Sequence, residues 1–316
     1  MVENRARSVF ELLTTLLALG TCVVFAAGMV THTIYERIAG SIFEGLLIVR
    51  MFIVYHDTLH GAIFRGKSID ARIGRAFMNA YGVLVLTPPN VWKQTHNYHH
   101  AHTAKIVGSH VGSFPVLTIS MYKNATPRQR LMYRLARNPL TIAFAYVTIF
   151  VFGMCVHPFV RSPRKNWDSA LSLVLHVILS IVVWRTFGFG IYLHVLVLPF
   201  AVAFAAGGYL FYAQHNFPDI EIQPRETWEY TRAALESSSF IDHGMVFRWF
   251  TGNIGFHHVH HLNAAIPFYR LPAAMSAIPE LQHPRRASMT LPGIVSCLRL
   301  KLWDPETHRM VSWKAA

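Results

Sequence analysis

Three short stretches of this chain gather histidine at helical spacing. His56 and His60 stand in HDTLH, His96, His99 and His100 in HNYHH, and His257, His260 and His261 in HHVHH. Residues three and four apart share a helix face, so each set can aim its imidazoles at one point. Core packing gives no reason to collect them, whereas neutral imidazole is the commonest metal-ligating side chain. The plainer alternative for any single set is a histidine-rich solvent loop. One ion takes about four to six ligands, so eight imidazoles suit two ions better than one. His215, in YAQHNF at the end of an apolar run, is a reasonable ninth. No HExxH occurs, which removes the commonest zinc-hydrolase pattern. Imidazole binds zinc, copper, iron and nickel alike. A two-metal site beside lipid points to redox work on an apolar substrate, with iron the natural choice.

Metal-bound imidazoles usually donate their second nitrogen to a carboxylate or a carbonyl. Asp57, beside His56, is a candidate partner; Asn253, one helical turn before His257, is another. Each also has a plainer reading: a surface or capping carboxylate for Asp57, and a turn residue between Gly252 and Gly255 for Asn253. His176 and His194 fall inside apolar runs. There an interhelical hydrogen bond is the ordinary role and a bis-histidine haem the rival one. His102, His110, His243, His258 and His283 read as ordinary polar residues. His258 is the nearest to the ligand face, since a small helix rotation would exchange it with a neighbour.

The elements that must hold these histidines are apolar. The chain is 53% hydrophobic and 14% charged, with mean hydropathy +0.31, which suits an integral membrane protein rather than a soluble domain. The net charge of +13 is spread along the sequence, not packed in one block. It reads as loop charge facing an anionic leaflet or an anionic protein partner, and not as a nucleic-acid surface. Cys22, Cys155 and Cys297 are far apart and suggest neither disulfides nor a zinc knuckle. The first apolar run, 12–31, is too long for a cleavable signal and reads as a retained span. Further spans are expected at 38–55, 169–184 and 187–211, the last bent near Pro199. Glu44 and Arg50 interrupt the second span: Glu44 should face protein or water, and Arg50 should snorkel to the interface. Residues 69–86 form an amphipathic interfacial segment. No internal repeat or domain linker is visible, so residues 1–316 are expected to form one membrane domain.

Parity constrains the topology. If all the histidine sets serve one site, the chain must cross the membrane an even number of times between His100 and His215. The runs at 169–184 and 187–211 supply two crossings, so the borderline run 140–156 should lie at the interface or re-enter. Positions 61–166 hold fourteen Lys and Arg, against Arg37 and Arg185 alone in the two proposed outer turns. Positive residues favour the cytoplasm, which places the histidines and both termini there. The expected fold is an all-α integral membrane protein with four transmembrane helices and a cytoplasmic helical cap around the histidine-rich site.

Taken together, the three motifs resemble the histidine boxes HxxxH, HxxHH and HxxHH of the membrane fatty acid desaturase superfamily. TGNIGFHHVHHLNAAIPFYRLP at 251–272 and YAQHNF at 212–217 are similar to bacterial acyl-lipid desaturases of the omega-6 (delta-12) type. The motifs cover roughly residues 50–272. The resemblance implies a di-iron centre, O2 as oxidant, and electrons from a ferredoxin or a cytochrome b5. It implies a fatty acyl lipid or acyl thioester substrate that gains a cis double bond. It makes His56, His60, His96, His99, His100, His257, His260 and His261 metal ligands, with His215 as the extra histidine of many members. A hydroxylase or ketolase of the same superfamily, acting on a carotenoid or an alkane, is the rival reaction. A non-catalytic membrane metal-binding protein is the rival class. Two departures stand out. Leu59 occupies the place of a glycine common in the first box of omega-6-type members, and Phe211 that of an asparagine in the stearoyl-CoA type.

Overall fold

A computed structural model describes residues 2–108 and 111–315; the reading of His110 lies outside them. Helices dominate. The first is α1 (Arg5–Ala27), which starts on the Asn4 cap and ends at left-handed Gly28. It turns into α2 (Ile34–Leu59), opened by a reciprocal Thr33–Glu36 capping box. Then come α3 (Ile69–Leu84), α4 (Pro89–His102), α5 (Ile119–Asn124), α6 (Pro127–Ala136) and α7 (Pro139–Ala143). A wider-wound π segment, Tyr146–Val156, leads into α8 (His157–Arg161). After α9 (Trp167–Phe187) and short α10 (Phe189–Tyr192), a π turn at Leu193–Val197 precedes α11 (Leu198–Gln214). Pro199 stands just past that turn, where its missing N–H and ring are accommodated by the wider winding. The remainder holds α12 (Tyr230–Glu236), α13 (Gly244–Phe250), α14 (His257–Leu262), α15 (Leu271–Ala277) and α16 (Leu291–Arg299). Two small sheets complete it: β1 (Phe240–Ile241) parallel to β2 (Arg286–Ala287), and β3 (Leu302–Asp304) antiparallel to β4 (Arg309–Val311).

Among the described residues, four helices are long and apolar enough to cross a membrane: Arg5–Ala27, Ile34–Leu59, Trp167–Phe187 and Phe189–Gln214. They correspond to the four expected from the sequence: the second and third are longer at both ends, the first starts and ends earlier than 12–31, and the fourth starts and ends later than 187–211. The apolar helix Tyr146–Arg161 is shorter and falls outside that set. Outward-facing Val174, Val177, Ile181 and Phe187 on α9 are exposed, as lipid-facing side chains would be.

The central helix is α2, packed between α1 and α11. A Cβ on Gly45 would lie 2.7 Å from Val202 Cβ and 2.8 Å from the Pro199 carbonyl, so only glycine lets α2 and α11 approach this closely. Glu44 is buried, as a carboxyl within a span should be, and its Oε2 has no hydrogen-bond partner. Arg50 corrects the reading above. It does not snorkel; it is 2% exposed. Its guanidinium pairs with Glu11, donates to Thr15 Oγ1 and to the Trp249 carbonyl, and lies 4.1 Å from the Trp249 ring centroid. The cause is helical phase. Arg50 points at α1, where Glu11 waits just ahead of the uncharged run. The pair desolvates together and carries its own counter-charge.

The C-terminal third is not a free tail. From α13, Phe250 reaches to 6.0 Å from the Phe43 ring of α2, and Met245, Val246 and Phe247 continue the exposed apolar surface there. From the end of α11, Gln214 Nε2 donates to the Ile254 carbonyl, and Ser239 N donates to the Gln214 carbonyl. These bonds bring the third histidine set back onto α2 and α11.

Candidate metal centre

Each histidine set occupies the helix that its spacing requires. His56 lies in the last turn of α2 with His60 as its C-cap, the second set fills the last turns of α4, and the third set lies on α14. His215 caps α11. Their imidazoles sort into two groups: His56, His60, His96, His100 and His260, and His99, His215, His257 and His261. Within each group one ligand atom per residue lies within 4.8 Å of every other. The i and i+4 members of each three-histidine box stay together, while the i+3 member turns to the other group. That division follows from the 100° step of a helix. No set forms a site alone. Each pocket draws on at least two elements distant in sequence.

The geometry fits a metal better than a hydrogen-bonded cluster. His96 Nε2 lies 3.1 Å from His56 Nε2 and 3.0 Å from His100 Nε2, and His100 Nε2 lies 3.1 Å from His260 Nε2. In the other group His215 Nε2 lies 3.0 Å from His99 Nε2 and 2.8 Å from His257 Nε2. A neutral imidazole nitrogen carries a proton or a lone pair, never both, so it cannot donate to one neighbour while accepting from another. Lone pairs aimed at one point need a cation between them. At a metal–nitrogen distance of about 2.0–2.1 Å, ligands at right angles separate their nitrogens by about 2.9 Å and tetrahedral ligands by about 3.3 Å. The observed spacings of 2.8–3.1 Å are of the size that nitrogens sharing one ion require.

The surroundings keep the imidazoles neutral. Seven of the nine are buried, with His60 and His215 intermediate. Burial holds His60, His96, His99, His100, His257, His260 and His261 well below the ordinary histidine range, and neighbouring imidazoles push the same way. His215 is pushed down by burial to about 4. Apolar rings wall the site. Trp92 stacks on His96 at 4.1 Å, and Phe211, in the place of the asparagine noted above, lies 5.1 Å from His99 and 5.8 Å from His215.

Of the two proposed partners behind the ligands, one has the required geometry. Asp57 Oδ1 lies 3.0 Å from His56 Nδ1, and its Oδ2 accepts from Phe268 N at 2.6 Å. Asn253 does not reach the histidines. It sits at φ 55° in the turn before α14, and its amide donates to the Phe268 carbonyl at 3.2 Å. The left-handed turn ends the chain's run from α13 two residues before Gly255, so the expected helical turn between Asn253 and His257 never forms. Sequence reasoning missed two further partners: the Ser237 carbonyl, 3.0 Å from His215 Nδ1, and Thr103 Oγ1, 3.3 Å from His261 Nδ1. Backbone oxygens and distant threonines leave no sequence signal. His258 turns away and hydrogen-bonds the Leu281 carbonyl at 3.2 Å. His176 meets Tyr146 Oη at 2.5 Å and His194 meets Ser41 Oγ at 3.3 Å, so each has an interhelical hydroxyl partner, against the haem reading. His243 bonds Ile241 and Thr251, and His102 stacks on Tyr98.

Comparison with known proteins gives the family of the chain. The fatty acid desaturase family model matches residues 38–292, which include every histidine in the two groups. The chain is 34% identical over 270 residues to a fatty acid desaturase of Bacillus subtilis, covering 85% of this chain and 75% of that protein. It is 22% identical over 273 residues to an sn-1 oleoyl-lipid 12-desaturase of a Synechocystis species, covering 84% and 74%. It is 25% identical over 254 residues to an sn-1 acyl-lipid omega-3 desaturase (ferredoxin) of a Nostoc species, covering 74% and 65%. The chain belongs to the fatty acid desaturase family. It is accordingly an oxidoreductase that desaturates acyl chains, and the hydroxylase and ketolase reading is not favoured.

Proposed function

We propose that the nine histidines hold two iron ions, one by His56, His60, His96, His100 and His260 and the other by His99, His215, His257 and His261. With O2 as co-substrate, the enzyme introduces a cis double bond into a fatty acyl lipid or acyl thioester. Electrons come from a ferredoxin or a cytochrome b5; the Nostoc relative is by its name a ferredoxin enzyme. Residues 1–316 act as one membrane domain, with the metal site and both termini on the cytoplasmic side, most naturally of a bacterial inner membrane. The observation that carries the reading is the pair of converging, buried imidazole groups at the ends of α2 and α11.

Bound iron with O2 supplies the oxidising power to remove hydrogen from an unactivated alkyl carbon. The chain's own residues do the rest. Burial keeps the imidazoles neutral, so each can offer the lone pair of one ring nitrogen. Asp57 holds the His56 ring by its Nδ1 side, leaving Nε2 toward the pocket. Trp92 and Phe211 exclude water and leave an apolar surface beside the ligands.

The test is expression in a host with simple saturated lipids, followed by fatty-acid methyl ester analysis and metal determination on the purified protein. A new double bond with about two irons per chain is expected. Hydroxylated products, or stoichiometric zinc with little iron in active protein, would overturn it.

A further inference from the structure

Away from the histidines, three cations from two separate parts of the chain meet without a carboxylate. Arg134 lies in the last turn of α6, Arg137 caps it, and Lys301 immediately precedes β3. With Asn138, Pro139 and Trp313 they line a cleft of about 360 Å³. Arg137 and Lys301 are 0% and 4% exposed. Among the described residues no Asp or Glu forms an ion pair with any of the three cations. A buried cation without a counter-charge is costly. Neutral oxygens meet part of that cost. Arg137 donates to the Pro115 and Leu300 carbonyls, to Tyr212 and to Asn216, and Lys301 donates to the Arg137 carbonyl. These oxygens solvate the charges and do not neutralise them. Arg137 Nε is buried without a partner, and the Lys301 ammonium uses one of its three donors. Burial, and then the Arg137 guanidinium, push Lys301 down to about 8.

The cleft borders apolar surface. Leu131, Met132 and Leu135 of α6 and Leu140 of α7 are exposed beside it, interleaved with Arg128, Arg130 and Arg134. Pro139 opens the apolar stretch that runs on through Tyr146–Arg161. Arginines alternating with exposed apolar side chains at the mouth of an apolar helix suit the lipid–water boundary, where the anions are headgroup phosphates.

We infer that this cleft binds the phosphate of an anionic phospholipid, with Arg134 and Lys301 as direct donors and Arg137 as a fixed positive charge behind them. Arg134 is the accessible member. Its guanidinium lies 5.7 Å from the Trp313 ring and its Nε donates to Tyr122 Oη at 2.5 Å, which holds the side chain in place and leaves its two terminal nitrogens for a phosphate. The inference is independent of the oxidative chemistry, and its test is a binding measurement that succeeds or fails whatever the enzyme's activity.

Purified full-length protein in detergent is titrated with dioleoylphosphatidylglycerol and read by native mass spectrometry. R134Q and K301M are compared with R128Q, which removes the same charge from the same helix outside the cleft. About one retained lipid per chain is expected in wild type and R128Q, with binding weakened about tenfold or more in R134Q and K301M. Equal weakening in R128Q would reduce the effect to diffuse electrostatics and overturn the site, as would unchanged binding in R134Q. Displacement of the lipid by inorganic phosphate at equal concentration would overturn the lipid assignment and leave a free-phosphate site. Arg134 is exposed, so R134Q decides the question should K301M fail to fold.

Discussion

Each imidazole in the centre answers to one of two pockets, and its substitution should show which. His260→Ala removes a ligand from the five-histidine group and His261→Ala one from the four-histidine group. Each is expected to lower bound metal toward about one ion per chain and to abolish product. His258→Ala, which loses a bond to the Leu281 carbonyl and a buried ring beside Phe240 but no group aimed at either pocket, should retain both ions. Metal content measured side by side separates the three variants, and metal loss in His258→Ala would refute the assignment. Asp57 acts one bond further out. Asp57→Ala frees the His56 ring and the Phe268 N–H together. Loss of such a partner typically weakens metal binding about 10–100-fold, which chelator competition would reveal. Asn at the same position keeps an acceptor for Phe268 N and should recover part of the affinity.

Among the elements, α2 does the most work. It lines up the first two ligands, packs on α1 and α11, and through Arg50 holds the segment that delivers α14. Arg50→Met leaves buried Glu11 with only the half-exposed Arg7 guanidinium, 2.6 Å away, as counter-charge, so the loss should fall below the about 3–5 kcal/mol of a buried pair broken outright. The double variant Glu11→Gln with Arg50→Met removes both charges and should regain most of that loss. Thermal unfolding of the singles and the double in one detergent tests this; additive losses would show that the ion pair itself contributes nothing. The same construction explains α13. Held to α2 by the Arg50 bond to the Trp249 carbonyl and by the Phe43–Phe250 contact, it exposes Met245, Val246 and Phe247 beside a spanning helix. Brominated lipids should therefore quench Trp249 fluorescence in a variant that keeps only this tryptophan. No quenching would place α13 outside the bilayer.

For the molecule as a whole, the burial that suits the imidazoles to the proposed metal ions should also make the proposed centre sensitive to acid. His215 falls from an ordinary 6.5 to about 4 in the fold, and the other buried ligands outside the spans shift in the same direction. A histidine held neutral by the fold stabilises it above the unfolded pKa. That stabilisation disappears as pH falls through the interval down to the folded value. Loss of stability is therefore expected to begin as pH falls below about 6.5 and to grow toward about 4, followed by thermal unfolding across that range with metal analysis after dialysis. Stability that stays flat from about pH 6.5 to 4 would contradict the burial of these imidazoles. Excess metal should shift the loss to lower pH by mass action.

The sequence alone determined the parts that depend on short range. Histidine spacing placed each set on one helix face because a helix turns by a constant angle. Apolar run length marked four spanning helices because a bilayer demands about twenty apolar residues. Both are periodic properties that no partner element needs to supply. Tertiary structure decided whatever depends on two elements meeting. It sorted the ligands into groups of five and four, turned His258 away to Leu281, and drew Asn253 to Phe268 instead of the site. It also buried Arg50 against Glu11, thirty-nine positions earlier in the chain. A residue's type states what it can bond; only the approach of a distant helix determines which bond it makes.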